Sequence, residues 1–264
     1  MRKIIQHAWI YLVLGFLYLP ILILSFYSFT SSTIIGSVRG FSLDNYVTLF
    51  TEDALRSMMI GTVLLALGVG VLSTLLGTMG AIGAFYSKKG VRLTVELANE
   101  VPIVNADVVT GFSVCILLIV LFRIDKASFV PLVIAQTALC APFVYLSVLP
   151  RLKQMDGALY EAGLDLGCTP SQALWKIVIP QIVPGILSGF MTAITLSLDD
   201  YFIATYTKPA TFDTISTYVV NATRGAQTSI KTALWALSAI IFLLVVLFVT
   251  VSNVNANKKS GGSN

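Results

Sequence analysis

Long apolar runs recur along this chain of 264 residues. Because hydrocarbon offers no hydrogen-bond partners, such runs cross a bilayer as helices that satisfy their own backbone groups. Charged residues make up only 11% of the sequence, against roughly 25% in ordinary soluble domains. The pattern predicts an all-α integral membrane protein, a single domain over 1–264, with six transmembrane helices. The predicted spans are about 8–29, 58–86, 101–122, 128–150, 178–206 and 232–252.

The distribution of Lys and Arg between the spans predicts the orientation. With the N-terminus inside, ten of these residues lie in cytoplasmic segments and seven on the other side. This bias predicts cytoplasmic N- and C-termini and a cytoplasmic position for segment 151–177. The net charge of +4 is explained by basic residues that flank the spans, so no nucleic-acid partner is expected. The first apolar run is too long for a signal peptide and lacks an A-x-A cleavage pattern, so we expect it to remain as a helix.

A polar segment between the fourth and fifth spans has the pattern of a helix–turn–helix hairpin, at 153–177. Asp156 is a good N-cap for its first helix and Gly167 a good C-terminal stop. Thr169-Pro170-Ser171-Gln172 then has the pattern of a capping box with proline at the first helical position. Glu161 and Asp165 lie four positions apart, so two carboxylates share one face. This pair indicates either a basic partner surface or plain solvation.

The same hairpin resembles the EAA loop of ABC importer permeases (EAA…G…I-LP) over Glu161-Ala162-Gly163, Gly167 and 177–180. Gly163 replaces the second alanine of that pattern, and Ile179 replaces its leucine. The resemblance implies the type I ABC importer permease fold, in which this coupling hairpin binds a cytoplasmic ATPase. The alternative is a hairpin that merely connects two spans. The residues to which the resemblance assigns coupling are Glu161, Ala162, Gly163, Asp165 and Gly167.

Nearly the whole chain resembles the spermidine/putrescine permeases, in particular the smaller of their two permease subunits. The stretches that carry this resemblance are Tyr18–Ile21, Gly40–Tyr46, Val101–Gly111 and Thr195–Tyr201. It implies a bacterial cytoplasmic membrane protein that pairs with a second permease and an ATPase dimer, and that receives polyamine from an extracytoplasmic binding protein. The chain has no G-x-x-x-x-G-K-[ST] phosphate loop, so we expect the partner subunits to bind ATP and Mg and this chain to need no cofactor and to be no enzyme.

Acidic residues within the predicted spans are the main indication of the substrate. Each carboxylate at mid-bilayer costs roughly 2.5–3.5 kcal/mol, so it must face protein, water or a cation. No Lys or Arg lies mid-span to pair with them. A polyamine is a thin apolar chain with several positive charges, and its path should offer carboxylates and aromatic faces. The predicted path residues are Asp107, Asp199, Asp200, Tyr201, Phe202 and Tyr206.

Each of these acids also has a structural interpretation. Asp199 and Asp200 are adjacent, so on a helix they point about 100° apart and cannot both face one pore. One of them could be a structural or gating residue, since acids at a similar place occur in ABC permeases of other specificity. Asp107 could, with Asn105, cap a helix that starts after Pro102.

The sequence leaves three alternative functional classes. The first is an importer of the same fold for an anion, an amino acid or a metal complex. An anion path would favour basic residues or free helix N-termini, so the acids within the spans argue against it. An intramembrane enzyme would need a nucleophile–base or metal set, and the sole histidine is His7, near the inner surface. A purely structural scaffold would not explain the capped hairpin. The sequence does not distinguish spermidine from putrescine, nor which of Asp199 and Asp200 faces the path.

Overall fold

The computed structural model describes the backbone of residues 2–31, 40–224, 232–240 and 242–243. These residues are helical apart from short connections and one antiparallel bridge between Thr30 and Phe41. The helices are α1 (Arg2–Ser28), α2 (Asp44–Thr51), α3 (Asp53–Tyr86), α4 (Lys89–Val104), α5 (Asp107–Cys115), α6 (Val130–Gln154), α7 (Ala158–Asp165), α8 (Pro170–Ala173), α9 (Ile179–Asp199), α10 (Phe202–Thr207) and α11 (Ile215–Arg224). Residues 232–240 are also helical.

Four helical segments of the described chain are long and apolar enough to cross a membrane: Trp9–Ser28, Asp53–Tyr86, Val130–Gln154 and Pro170–Asp199. They correspond to the predicted first, second, fourth and fifth spans, so the all-helical membrane class is confirmed. Of the sixth predicted span, 232–252, residues 232–240 and 242–243 are helical, and the others lie outside the described residues. The six-helix count and the cytoplasmic termini stay predictions.

The third predicted span, a helix over about 101–122, is interrupted in the structure. Helix α4 ends at Val104, α5 begins at Asp107, and the two segments are bent by 105°. Asn105 and Ala106 between them have extended backbone. Pro102 lies in the last turn of α4 and has no N–H for the helical ladder, which weakens the helix where the chain leaves it. Helix α5 then runs into a wider π-helical turn at Ile116–Leu121.

The fifth predicted span, a single helix over 178–206, is also wrong at its far end. Helix α9 ends at Asp199, Asp200 has extended backbone (φ −65°, ψ 116°), and α10 begins at Phe202. At its other end α9 is continuous with the hairpin, because a π-helical turn at Leu174–Val178 joins it to α8. The second helix of the hairpin and the membrane span are therefore one helical segment.

The chain divides into two compact units, 58–218 and the combination of 1–57 with 219–264. In the second of these, the end of α1 is bound to α2. The buried Asn45 amide donates to the carbonyls of Ser28 (3.0 Å) and Thr30 (3.1 Å). The ring of Tyr27 packs edge-on against Trp235, with centroids 6.0 Å apart.

In the unit 58–218, α6 is the central helix. Of its most apolar stretch 61% is buried, against 28% for α3 and 28% for the segment that ends with α9. Glycines permit close approach to it: a Cβ on Gly77 of α3 would lie 2.7 Å from the Ala141 carbonyl oxygen, and one on Gly189 of α9 would lie 2.9 Å from Val144. Helices α3 and α9 thus pack closely against α6, and α9 is joined directly to the hairpin.

Candidate functional site

The break between α9 and α10 is held by the buried carboxylate of Asp200. One carboxylate oxygen accepts the backbone N–H of Ile203 (3.0 Å), and the other accepts that of Ala204 (2.9 Å). Asp200 therefore caps the start of α10, using two of the N–H groups that a helix leaves unpaired at its N-terminus. Asp residues compete with the helical ladder in this way, which explains why the chain breaks here rather than continuing as a helix.

Asp200 is also bound to α6 by a buried side-chain network. The Gln136 amide N–H donates to Asp200 Oδ2 at 2.8 Å. The Ser197 hydroxyl of α9 donates to the Gln136 carbonyl oxygen, also at 2.8 Å. Gln136 and Ser197 are both completely or almost completely buried, at 0% and 1% exposure. This network ties together the two sides of the break and the central helix.

A cleft of about 270 Å³ lies beside this break. Helix α5 brings Asp107 to it, because α10 packs closely on α5: a Cβ on Gly111 would lie 3.0 Å from the Cα of Ile203. Asp107 and Asp199 are exposed, and neither forms a hydrogen bond or ion pair with a described residue. The residues that line the cleft are Asp107, Leu139, Phe143, Leu196, Asp199, Asp200, Tyr201 and Phe202.

Five of the six predicted path residues thus line one cleft, and Tyr206 does not. Tyr206 packs its ring against Phe112, with centroids 5.9 Å apart, and its carbonyl accepts the Cys115 thiol (3.2 Å). The capping interpretation of Asp107 is wrong, because the cap position is Ala106 and no side chain caps α5. Asp199 and Asp200 were expected to point apart on one helix. In the structure they do not share a helix, since Asp199 ends α9 and Asp200 lies in the break.

Sequence reasoning missed the apolar wall of the cleft and the residue behind it. Leu139 and Phe143 lie on α6, three and seven positions after Gln136, so all three share a helix face. A glutamine within a predicted apolar span was the available signal, because a buried amide requires partners. Among the described residues, no group of three or more His, Cys, Asp or Glu side chains is placed to hold a metal ion.

The predicted hairpin forms, with one change at its start. Helix α7 begins at Ala158 and its cap position is Gly157, so the prediction of Asp156 as N-cap is off by one residue. Asp156 still helps, because its carboxylate accepts the Ala158 N–H at 3.0 Å. The capping box is confirmed: Gln172 N–H donates to the Thr169 hydroxyl, and Thr169 N–H donates to the Gln172 side chain.

The turn between the two hairpin helices depends on Gly167, which has a φ of +89°. Its N–H donates to the Leu164 carbonyl (2.9 Å), and the N–H of Cys168 donates to the Gly163 carbonyl (3.0 Å). These two bonds form a Schellman motif, which satisfies the last carbonyls of α7 and needs a left-handed residue at this position. The prediction of a glycine stop at Gly167 is confirmed.

The residues assigned to coupling divide into an exposed set and a packed one. Gly163 is buried against Ala173 and Ile177, and a Cβ there would overlap the Ile177 side chain. Close packing of the two hairpin helices thus explains glycine at the position where the family pattern has alanine. The exposed members are Glu161, Ala162, Asp165 and Gly167.

Two large apolar side chains of the hairpin are also exposed, and the sequence analysis did not single them out. Leu166 is 87% exposed and Trp175 is 69% exposed. The hairpin is joined to the end of α3 by the rings of Tyr86 and Tyr160, whose centroids lie 5.0 Å apart. It therefore presents apolar and acidic side chains while it is connected both to α3 and, through the continuous helix, to α9.

A profile of the family described as "binding-protein-dependent transport system inner membrane component" matches residues 73–260. The putrescine transport system permease protein PotI of Escherichia coli (strain K12) is 31% identical over 235 residues, which cover 84% of this chain and 82% of that protein. The spermidine/putrescine transport system permease protein PotC of Haemophilus influenzae is 27% identical over 261 residues, covering 98% and 99%.

A solved structure shows the same fold. It is a bacterial alginate ABC transporter in complex with an alginate pentasaccharide-bound periplasmic protein. The matching chain is 22% identical, with a TM-score of 0.70 and coverage of 93% of this chain and 91% of that one. At this level of identity the likeness concerns the fold alone.

Proposed function

This chain belongs to the family of binding-protein-dependent transport system inner membrane components, and we propose that it is a permease subunit of an ATP-driven importer for polyamines. It is a component of the bacterial inner membrane. In this proposal it forms the translocation path with a second, homologous permease. An ATPase dimer binds the hairpin, and an extracytoplasmic binding protein delivers the polyamine.

The observation that carries the substrate class is the cleft at the α9–α10 break. Asp107 and Asp199 supply two exposed carboxylates, and Tyr201 and Phe202 supply aromatic rings beside them. None of the described residues that line the cleft is basic. Ammonium groups are stabilised by carboxylates and by aromatic faces, and the methylenes between them match apolar walls. The same lining would repel an anion, which disfavours the anion importer of the same fold.

The hairpin supports the proposal that ATP hydrolysis in partner subunits drives this path. Its exposed carboxylates, Glu161 and Asp165, match a basic partner surface, and the exposed Leu166 and Trp175 match an apolar pocket. Helix continuity from α8 to α9 provides a direct mechanical connection between the hairpin and Asp199 at the cleft. A push at the hairpin would therefore be transmitted along this helical segment to α9.

Neutralising the two exposed carboxylates tests the proposal. The complex is reconstituted in proteoliposomes with its partner permease, ATPase and binding protein, and radiolabelled putrescine and spermidine uptake is measured. We expect Asp107→Asn and Asp199→Asn each to lower uptake about tenfold to a hundredfold, because a charge-assisted contact contributes on the order of 1.5–3 kcal/mol. Complex yield and basal ATP hydrolysis should stay at wild-type levels.

Asp53→Asn is the matched control, because Asp53 is an exposed acid (89%) whose contact is a surface ion pair with Arg56. Its uptake should equal that of the wild type, since an exposed pair of this kind contributes little. Unchanged uptake in both cleft variants would remove the acidic path. If the complex takes up an amino acid or a metal complex and excess polyamine does not inhibit that uptake, an importer of the same fold for another solute would be favoured instead.

A further inference from the structure

We propose that Gln136 is a positioning residue of this transport cleft: it binds both sides of the α9–α10 break and so holds Asp199 and Tyr201 toward the substrate. This inference rests on the proposed function of the cleft, because it assigns a role within that site. Gln136 is completely buried and is not among the residues that line the cleft. It therefore acts through its neighbours and does not contact the substrate itself.

The two hydrogen bonds of Gln136 have a defined direction. An ionised Asp200 carboxylate can only accept, and in this state the amide N–H of Gln136 faces it, at 2.8 Å. The carbonyl oxygen of Gln136 then faces the Ser197 hydroxyl, which donates at 2.8 Å. Ser197 lies before the break and Asp200 lies within it. One amide from α6 thus spans the point where the helical ladder is interrupted.

Asp200 depends on this amide for its connection to α6. Its other hydrogen bonds go to Ile203 and Ala204 on α10, the helix that it caps. Without Gln136, the capped end of α10 would keep its local bonds and lose its polar contact with α6. Apolar contact alone would remain there, through Ala135 and Leu139, which pack with Ile203. Hydrogen bonds have direction and such contacts do not, so the orientation of the break depends on the amide.

Orientation of the break determines which side chains reach the cleft. Asp199 and Tyr201 are the immediate neighbours of Asp200, with consecutive Cα atoms about 3.8 Å apart. Because the Asp200 side chain is drawn inward to Gln136, Asp199 remains exposed at the cleft while Asp200 is 8% exposed. The same helix that carries Gln136 supplies the apolar wall, through Leu139 and Phe143. Helix α6 therefore provides both the wall of the cleft and the anchor for its acidic side.

Four variants of the full complex test this assignment. Gln136→Leu removes both hydrogen bonds at nearly constant volume. Gln136→Glu puts a second carboxylate against Asp200. The double variant Gln136→Glu with Asp200→Asn removes this pair of carboxylates and places an amide donor against the carboxylate on α6. Its amide nitrogen also replaces Oδ2, which accepts the Ala204 N–H, so one hydrogen bond at the start of α10 is lost. Thr137→Val is the matched control, because Thr137 is the buried neighbour on α6 and its hydroxyl has no hydrogen-bond partner in the described part of the chain.

Uptake is measured against polyamine concentration, so that the half-saturating concentration and the maximal rate are separated. We expect Gln136→Leu and Gln136→Glu each to raise the half-saturating concentration about tenfold, with a smaller change in maximal rate. The double variant should half-saturate at a lower concentration than Gln136→Glu, because a donor–acceptor pair with α6 is restored, and it should stay above wild type, because the Ala204 N–H has lost its acceptor. Thr137→Val should match wild type. Wild-type half-saturation in Gln136→Leu, or a double variant no better than Gln136→Glu, would overturn the proposal.

Hydrogen exchange of the α10 amides gives a readout that needs no substrate. The N–H groups of Ile203 and Ala204 should exchange faster in Gln136→Leu than in Thr137→Val. In the double variant the Ile203 N–H should exchange more slowly than in Gln136→Glu, because the oxygen that accepts it is retained. Equal exchange in all variants would refute the positioning role even if polyamine uptake itself were never observed. If Gln136→Leu yields no complex, Gln136→Glu is compared with the double variant, and equal assembly with equal exchange at Ile203 in these two would refute the positioning role. Failure of the wild-type complex to import polyamine would instead refute the proposed function.

Among the groups that can titrate near Gln136 are Asp200, the two cleft acids Asp107 and Asp199, and Cys140 one turn along α6. The Cys140 thiol donates its hydrogen to the Ala193 carbonyl of α9 at 3.6 Å, so it is not a donor to Gln136 or Asp200. All variants are therefore compared at one pH, and Gln136→Glu is repeated at lower pH. Protonation of the introduced carboxyl would make it a donor to Asp200, as the amide is, so uptake by this variant should recover relative to Gln136→Leu at the same pH. Absence of that recovery would count against the hydrogen-bond mechanism.

Discussion

Substitution of Gly167 isolates the effect of backbone conformation on the hairpin. Its φ of +89° lies in the region that residues with a Cβ rarely adopt. No described atom lies within 4 Å of the position where a Cβ would be, so an added side chain meets open space. The cost of Gly167→Ala is therefore backbone strain alone, with no contribution from overlap. Few positions in a protein separate these two effects so cleanly.

The magnitude follows from the cost of left-handed backbone, about 1–2 kcal/mol for an L-residue. A difference of about 1.4 kcal/mol is tenfold in an equilibrium constant, so the opened form of the turn should rise about fivefold to thirtyfold. Gly167→Val should cost at least as much, because β-branched side chains tolerate this region worst. Gly167→Asn should cost less, since asparagine is the next best residue at this helix position.

Hydrogen exchange at Cys168 measures this directly. Its N–H donates to the Gly163 carbonyl at 3.0 Å only while the turn is closed. Exchange should be faster in the order Gly167→Val, Gly167→Ala, Gly167→Asn, wild type. Substrate-stimulated ATP hydrolysis by the reconstituted complex should fall in the same order, while the amount of inserted protein stays constant. Equal exchange in the alanine and asparagine variants would refute the argument from φ.

The remaining predictions concern coupling, packing and assembly. Glu161→Lys should weaken ATPase binding about tenfold, measured by co-purification, because it reverses charge on the face expected to meet a basic surface. Gly189→Leu should destabilise the complex by about 1–3 kcal/mol in thermal unfolding, because its Cβ would lie 2.9 Å from Val144 Cγ1 and 3.1 Å from Val144 Cα. This chain with the ATPase, but without a second permease, should show no full transport in proteoliposomes.

Each of these predictions has a control or a contrary result. Glu161→Gln removes the charge without reversing it and should have a smaller effect than Glu161→Lys; normal transport in Glu161→Lys would remove this residue from coupling. Gly68→Leu introduces the same side chain where nothing lies within 4 Å, so it should leave unfolding unchanged. A destabilisation equal to that of Gly189→Leu would contradict the packing argument. Full transport without a second permease would refute the proposed pairing.

Local patterns of the sequence predicted the elements that form through near neighbours. The capping box at Thr169 joins residues three positions apart, and the turn at Gly167 closes bonds over three and five positions. The apolar helices α3 and α6 likewise follow from composition over one membrane thickness. In each case the residues that stabilise the element are close to one another in the sequence.

The predictions failed where contacts with residues far away in the sequence determine the backbone conformation or the burial of a side chain. Continuous helices were predicted through Asn105 and through Asp200, and the chain breaks at both places. The packing of Gly163, a residue assigned to coupling, against Ile177 was also not predicted. The sequence also does not show which glycines of α3 permit close packing: Gly77 packs against α6, whereas a Cβ on Gly68 would have no neighbour within 4 Å. The spacing of residues in the sequence shows which of them share a helix face, but it does not show what packs against that face.

What the sequence by itself determined is the class of this protein, because membrane helices and a capped hairpin depend on apolar length and on bonds between near neighbours. Tertiary structure decided the site. The identity of the exposed acid at the α9–α10 break depends on Gln136, which is 64 positions from Asp200. Two adjacent aspartates have the same chemistry in the sequence. Both line the cleft, but Asp200 is buried and Asp199 is exposed, and the amide of Gln136 on another helix donates to Asp200 alone.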